Sequence, residues 1–372
     1  MKRILAPLFA IIVLSLLAWS ALSAQPAIPN PVDRLMTPQE ILARFGGFMY
    51  VEQGYSHKNL TIFPVTLKVT ENTTQYTSLD EALENKWIKI SEVNSGSVPE
   101  LRLEVFREVP MFFMAGEVVT GAKQDRILQS DLLFRGKAGA FIIPVYCVES
   151  GRWVHESESF SPGKTLGSKN VRQAAAMKKG QTTVWDEVAS KNYEMAADTD
   201  TSKFQANYDS TKYKDLSPEY FDALRDIPLI RDGKAVGVVI AINGKITSAD
   251  VFANADIFKS LWPKVLKASV MDAVSAEAGT MKDNTAAREF LGTGISGSIA
   301  KNSNPSMGEE YSIEAGKVQG HFMVTDGTVV HLALFSHDPS KRRPEPQEQI
   351  YQQNIQQNQE IQQQRHQEFQ QQ

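Results

Sequence analysis

The chain has 372 residues, 39 Lys and Arg against 43 Asp and Glu, and a formal charge of −4. It is long enough for one large or two ordinary domains with a substantial core. A mildly acidic chain without a basic block is a poor candidate for nucleic acid binding.

Lys2 and Arg3 precede an apolar run from Ile4 to Leu22, then Ser23 and Ala24. That order is the charged, apolar and small-residue plan of an export segment, expected over residues 1–24. Cleavage after Ala24 would deliver a secreted or periplasmic protein with no membrane attachment. An uncleaved run of this length would be an anchor. Residues 25–36, with Pro26, Pro29 and Pro31, read as an extended leader.

The ordered domain is expected over residues 37–340, with a break between two subdomains near 160–215 as one option. Thr37-Pro38 is a helix start. A strand is expected at 60–69. Ser78 with Glu81 forms a capping box opening a short helix. Residues 87–93 and 101–106 alternate as strands. Residues 111–120 and 124–134 read as two further strands joined through Gly121-Ala122, and 141–149 as a third.

Helical patterns follow at 170–179, ending at Gly180, and from Thr183 to about Met195. The polar stretch 196–214 reads as a loop, and Ser217-Pro218 as the next helix start. Asn243-Gly244 and Asp326-Gly327 each sit between strand-like runs and predict two-residue hairpin turns. In the first hairpin Val236, Val238, Ile240 and Ile242 would share one face. The other, with Ala235, Gly237, Val239 and Ala241, would admit a helix capped by Asn254 and kinked or interrupted at Pro263. The fold class is therefore α+β, mostly antiparallel sheet with several packed helices. Residues 341–372 form a glutamine-rich tail, read as disordered or as a helix induced by a protein partner.

Charged groups inside apolar strands are costly to bury unless paired or facing a ligand. Glu117, Lys123, Gln124 and Arg126 lie within one hairpin's length, and Glu149, Arg152 and Trp153 end the next strand. Lys123, Arg126 and Arg152 suit an anionic group. Trp153 offers a stacking surface, and Glu117 a general base or hydroxyl ligand. The competing reading is structural: Glu117 paired with Arg126 or Lys123, Glu149 paired with Arg152, and Trp153 in the core.

His331 shares a predicted face with Val329, Ala333 and Phe335, opposite Phe322. It is either a hydrogen-bonded core residue or a base acting with Glu117. His57 is a loop histidine with the same ambiguity. His321 and His337 show no ligand spacing with acids or cysteines, so no metal site is expected. Cys147, the lone cysteine, reads as a buried strand thiol rather than a nucleophile. P-loop, nucleophile-elbow and dinucleotide motifs do not occur, and no cofactor is named by the residues.

Six segments together resemble a known family: L-T-I-F-P-V (60–65), S-L-D-E-A-L (78–83), S-V-P-E-L (97–101), G-E-V-V-T-G-A-K-Q-D-R (116–126), I-P-V-Y-C-V-E-S-G-R-W (143–153) and V-V-H-L-A-L-F (329–335). The family is the ADP-ribosylglycohydrolase- and rhodanese-phosphatase-superfamily-associated protein domain. The resemblance covers about residues 57–337, and its two central motifs are the distinctive ones. It implies binding or processing of NAD-derived or ADP-ribose-like compounds, without a defined reaction. A small anionic, nucleotide-like or sugar-phosphate ligand is thus one expected partner. A non-enzymatic envelope protein that recruits a partner through its tail is the alternative.

Overall fold

The computed structural model describes residues 35–93, 99–136, 139–152, 156–276 and 283–337. Residues 1–34, read above as an export segment and leader, Trp153 and the glutamine-rich tail lie outside the described residues. Among the described residues are nine helices and 17 strands, and every ladder between strands is antiparallel. The class is α+β. No helix among these residues is long and apolar enough to cross a membrane.

The first hairpin forms at its predicted turn. Strands β12 (Ala235–Ile242) and β13 (Lys245–Phe252) flank Asn243 and Gly244, whose φ angles are +51° and +69°. Two successive positive φ values make the turn whose twist suits antiparallel strands. Strands β16 (Val318–Thr325) and β17 (Thr328–Ser336) repeat this around Asp326-Gly327. With β1 (Met49–Val51), β3 (Leu60–Leu67), β14 (Ser298–Asn302) and β15 (Glu309–Ala315) they build a large sheet. Its order is β1-β3-β12-β13-β17-β16-β15-β14, with β2 (Tyr55–His57) also on β3. His57, expected in a loop, ends β2.

Both faces of this sheet are covered. Helices α1 (Pro38–Gly47) and α9 (Asn284–Ile295) bury Leu42, Phe45, Ala287 and Leu291 against Val239, Ala241 and Leu332. The 21-residue helix α8 (Ala255–Ser275) packs Phe258, Leu261 and Val265 with Val238, Ile240 and Ile242 on the other face. Asn254 caps it, accepting from the amides of Asp256 and Ile257, both at 3.1 Å. Two expectations change here. The helix lies on the larger-residue face, and it continues through Pro263, so of the two outcomes expected there the interruption does not occur. A register shift between Ala235 and Gly237 also places Val236 on the face of Val239 and Ala235 on that of Val238.

A second, six-stranded sheet has the order β11-β7-β8-β10-β5-β4. It contains β4 (Ile88–Glu92), β5 (Glu100–Val105), β7 (Glu117–Gly121), β8 (Arg126–Leu128), β10 (Gly139–Cys147) and β11 (Phe160–Leu166). Between the sheets runs a ribbon of β6 (Met111–Phe113) and β9 (Leu132–Phe134). Its side chains alternate between two cores: Met111, Phe113, Leu132 and Phe134 join the smaller sheet, whereas Phe112 and Leu133 join the larger. This double burial explains why the two long predicted strands are each broken. At residues 114–116 and 129–131 the chain must turn from ribbon to sheet.

The helical half holds further corrections. Helix α3 (Lys169–Ala176) is followed by α4 (Gln181–Met195), which starts at Gly180 rather than Thr183. The predicted loop 196–214 is built: Phe204 is fully buried, and α5 (Ala206–Asp209) leads to α6 (Thr211–Leu224). Ser210, not Ser217, is its cap, accepting from the Tyr213 amide at 3.2 Å. Pro218 lies inside the helix. The Ser-Pro pair imitated a helix start about two turns too late.

Candidate functional site

Six sequence-selected polar residues of the two central motifs fall in the described chain, and they divide among three networks. The first network is centred on Arg126, fully buried in β8. Its guanidinium donates to the Gln124 carbonyl at 2.9 Å, to Gln124 Oε1 at 3.4 Å and to Glu92 at 3.3 Å. The Lys123 amide donates to the same Glu92 carboxylate at 3.3 Å, and the residue is half-buried.

The second network surrounds Arg152. Its Nε donates to Glu149 Oε2 at 2.9 Å, its Nη1 to the Ala122 carbonyl at 2.9 Å, and its Nη2 lies 3.4 Å from Asp125. Glu149 also accepts from Thr201 Oγ1 at 2.8 Å. Burial alone would raise the Glu149 carboxyl, but Arg152 and Thr201 outweigh it and hold it below its ordinary range. Asp125 goes the other way, pushed up by burial and by Glu149. The planar fork thus ties the 121–125 turn to the end of β10.

The third network places Glu117 at the start of β7 with no solvent exposure. It forms an ion pair with Lys264 of α8, and its Oε2 accepts from the Met114 amide at 2.7 Å. Lys264 also reaches Asp80, 2.7 Å away in helix α2 (Leu79–Glu84). Burial raises the Glu117 carboxyl despite this partner. Neither anticipated partner of Glu117 is the one it takes. The expected Glu149–Arg152 pair does form.

His331 belongs to a separate cluster in the larger core. Its Nδ1 is 2.7 Å from Asp131 Oδ2 and its Nε2 3.2 Å from Asp250 Oδ1. Its ring stacks on Phe252 at 4.3 Å between centroids and meets Phe112 edge-on at 5.7 Å. The expected register is off by one. Met323, not Phe322, faces His331, because β17 bulges between Val329 and His331 and puts Val329 on the opposite face. Arg172 grips Asp250 with both terminal nitrogens, one at 2.7 Å, and its Nε donates to the Ala115 carbonyl at 3.1 Å. Burial opposes ionisation of Asp131 and Asp250. His331 with His321, and Arg172 with His331, respectively overcome it and hold both carboxyls well below the usual range. The two aspartates in turn outweigh burial and raise His331 above its ordinary value.

Turn 114–116 joins this cluster to Glu117. The Ala115 amide donates to Asp131 Oδ1 at 2.8 Å while the Met114 amide serves Glu117. Gly116 has φ +93°, and a Cβ there would lie 2.4 Å from Arg172 Cγ. Glycine is required by both backbone and neighbour. Glu117 and His331 share no bonding partner among the described residues, so a common water between them gains no support.

His321 is 1% exposed and lies beside this cluster. Its Nε2 is 3.5 Å from Asp131 Oδ2, and neither ring nitrogen has a hydrogen-bond partner among the described residues. A polar group left so costs about 1–3 kcal/mol. Asp131, His321 and His331 place one potential ligand atom each within 4.8 Å of the others. Spacing along the chain could not show this convergence, because its members are 190 and 10 residues apart in sequence.

Sequence reasoning missed Asp131, Asp250, Arg172 and Lys264, and set His321 aside for want of ligand spacing along the chain. Asp250 and Asp131 were accessible to the test that selected Glu117, a charge within an apolar strand-like run. Lys264 had a comparable signal, since it shares the apolar side of α8 with Leu261 and Val265. Cys147 is buried as expected, and burial pushes its thiol up to about 11. An open cavity of about 480 Å³ lies elsewhere, beside Lys58, Asn59 and Tyr220, and no residue selected from the sequence as a site member lines it.

Residues 49–335 match the model of the ARG and Rhodanese-Phosphatase-superfamily-associated Protein domain. No curated protein and no solved structure matches the chain.

Proposed function

The chain belongs to that family, and from this premise we propose that it is an exported, non-enzymatic envelope protein whose two charged motifs are an internal framework. On this reading the glutamine-rich tail recruits a protein partner. The observation that carries the proposal is the state of the motif cations. Arg126 is fully buried against Glu92, and Arg152 is 7% exposed among Glu149, Asp125 and Glu156. An ADP-ribose-like, NAD-like or sugar-phosphate anion would have to take each guanidinium from a buried carboxylate, leaving that carboxylate uncompensated.

The test is a thermal-shift series on the mature chain with ADP-ribose, NAD and simple sugar phosphates. A ligand of the folded state must raise the melting temperature. The framework reading expects no shift with any of them, and a lowered melting temperature for Arg126→Ala. A saturable shift that Arg126→Ala or Arg152→Ala removes would replace it with the ligand-binding reading. Removing residues 344–372 should leave the melt unchanged and abolish capture of an envelope partner. A truncated chain that retains its partners would sink the role of the tail.

A further inference from the structure

We propose that Asp131, His321 and His331 are the ligands of one first-row divalent transition ion of the zinc class, held in the core between the large sheet and the β6–β9 ribbon. Imidazole and carboxylate together suit such ions better than they suit calcium or magnesium. Metal–nitrogen and metal–oxygen bonds near 2.0–2.2 Å put ligand atoms of a shared ion roughly 2.9–3.5 Å apart. His321 Nε2 stands 3.5 Å from Asp131 Oδ2, at the edge of that range, and His331 Nδ1 stands 2.7 Å from the same oxygen, a hydrogen-bond distance that has to open slightly when the ion enters.

The fold supplies this convergence. His321 faces Ala333 across β16 and β17, while His331 faces Met323, so the histidines are diagonal neighbours. The β17 bulge helps set this offset. Asp131 enters from the bend between β8 and β9.

Two of the ligands are also oriented from behind. His331 turns its far nitrogen to Asp250, which Arg172 holds, and Asp131 turns its other oxygen to the Ala115 amide. A ligating histidine commonly has a carboxylate in that position, which fixes the ring and its tautomer. A proton on His331 would satisfy Asp131 and Asp250 equally well. It would leave His321, a nearly inaccessible imidazole, with one nitrogen 3.5 Å from Asp131 and the other unbonded among the described residues. The ion uses all three groups.

All three side chains are closed to solvent, so loading is expected during folding. The mature chain, stripped with a chelator and refolded with Co²⁺, should bind one ion per chain and show visible ligand-field bands that Zn²⁺ displaces. His321→Leu should fold cooperatively, because Asp131 keeps His331 and the Ala115 amide as partners, and should bind Co²⁺ at least about 100-fold more weakly. Asp250→Asn should weaken binding by about 10–100-fold. Substoichiometric binding by the refolded wild type, or undiminished binding by His321→Leu, would overturn the assignment. If His321→Leu does not fold, the ring resonances of the cobalt-loaded wild type decide. Two strongly shifted buried histidines support the site, and fewer than two refute it.

Discussion

Lys264→Met removes the ammonium that Glu117 and Asp80 share. Asp80 is 18% exposed and can hydrate, but Glu117 has no exposure and keeps only the Met114 amide among its hydrogen-bond donors in the described chain. Breaking a buried pair from one side costs about 3–5 kcal/mol. Glu117 has one escape, which is to take a proton. From an ordinary glutamate pKa of about 4.3, at ~1.4 kcal/mol per pH unit, protonation at pH 7 costs about 3.7 kcal/mol. The penalty should therefore sit near the lower half of that range at pH 7. It should shrink by about 1.4 kcal/mol for each unit of acidification toward pH 5. Burial already favours the protonated carboxyl. Glu117→Gln combined with Lys264→Met should recover most of the loss, because no bare charge remains. Urea unfolding of residues 25–372 between pH 5 and 8 measures all three. A Lys264→Met penalty under about 1 kcal/mol, or one independent of pH, would refute the buried-pair reasoning.

Three further outcomes follow from the same geometry. Gly116→Ala meets Arg172 Cγ at 2.4 Å with φ +93°; it should destabilise by about 2 kcal/mol or more in the same urea assay. Cys147, its thiol pushed up to about 11 in a closed strand, should resist thiol reagents at pH 7.5 in the native state and react at once in denaturant; rapid native labelling would contradict its placement. Glu149 is held below the ordinary carboxylate range, so its contribution is complete above about pH 4.3 and is lost as pH falls through its lowered folded value. The stability gap between wild type and Glu149→Gln should accordingly narrow in acid, and a gap that widens below pH 4 would reverse the sign.

Elements governed by neighbouring residues were legible. Asn243-Gly244 and Asp326-Gly327 place their hairpins, and Ser78 and Asn254 cap their helices, because each acts on backbone within three residues. The two motifs were legible as unusual for the same reason: charge in an apolar run is visible without a partner. Errors began where packing chose between local options. Ser210 and Ser217 both resemble caps, and burial of Ser217 and Tyr220 decided for Ser210. Strand 111–120 looked continuous, but Phe112 and Phe113 serve different cores, so the chain turns at Gly116.

Chain-local physics alone thus determined the α+β class, the hairpin turns, the helix caps and the presence of charges that require compensation. Tertiary structure decided who compensates them. Glu117 meets Lys264 across 147 residues and His331 meets Asp131 across 200. A one-residue bulge in β17 then sets which neighbour His331 faces. Side-chain direction alternates with every residue of a strand, so one added residue reassigns a partner without leaving a mark in composition or motif.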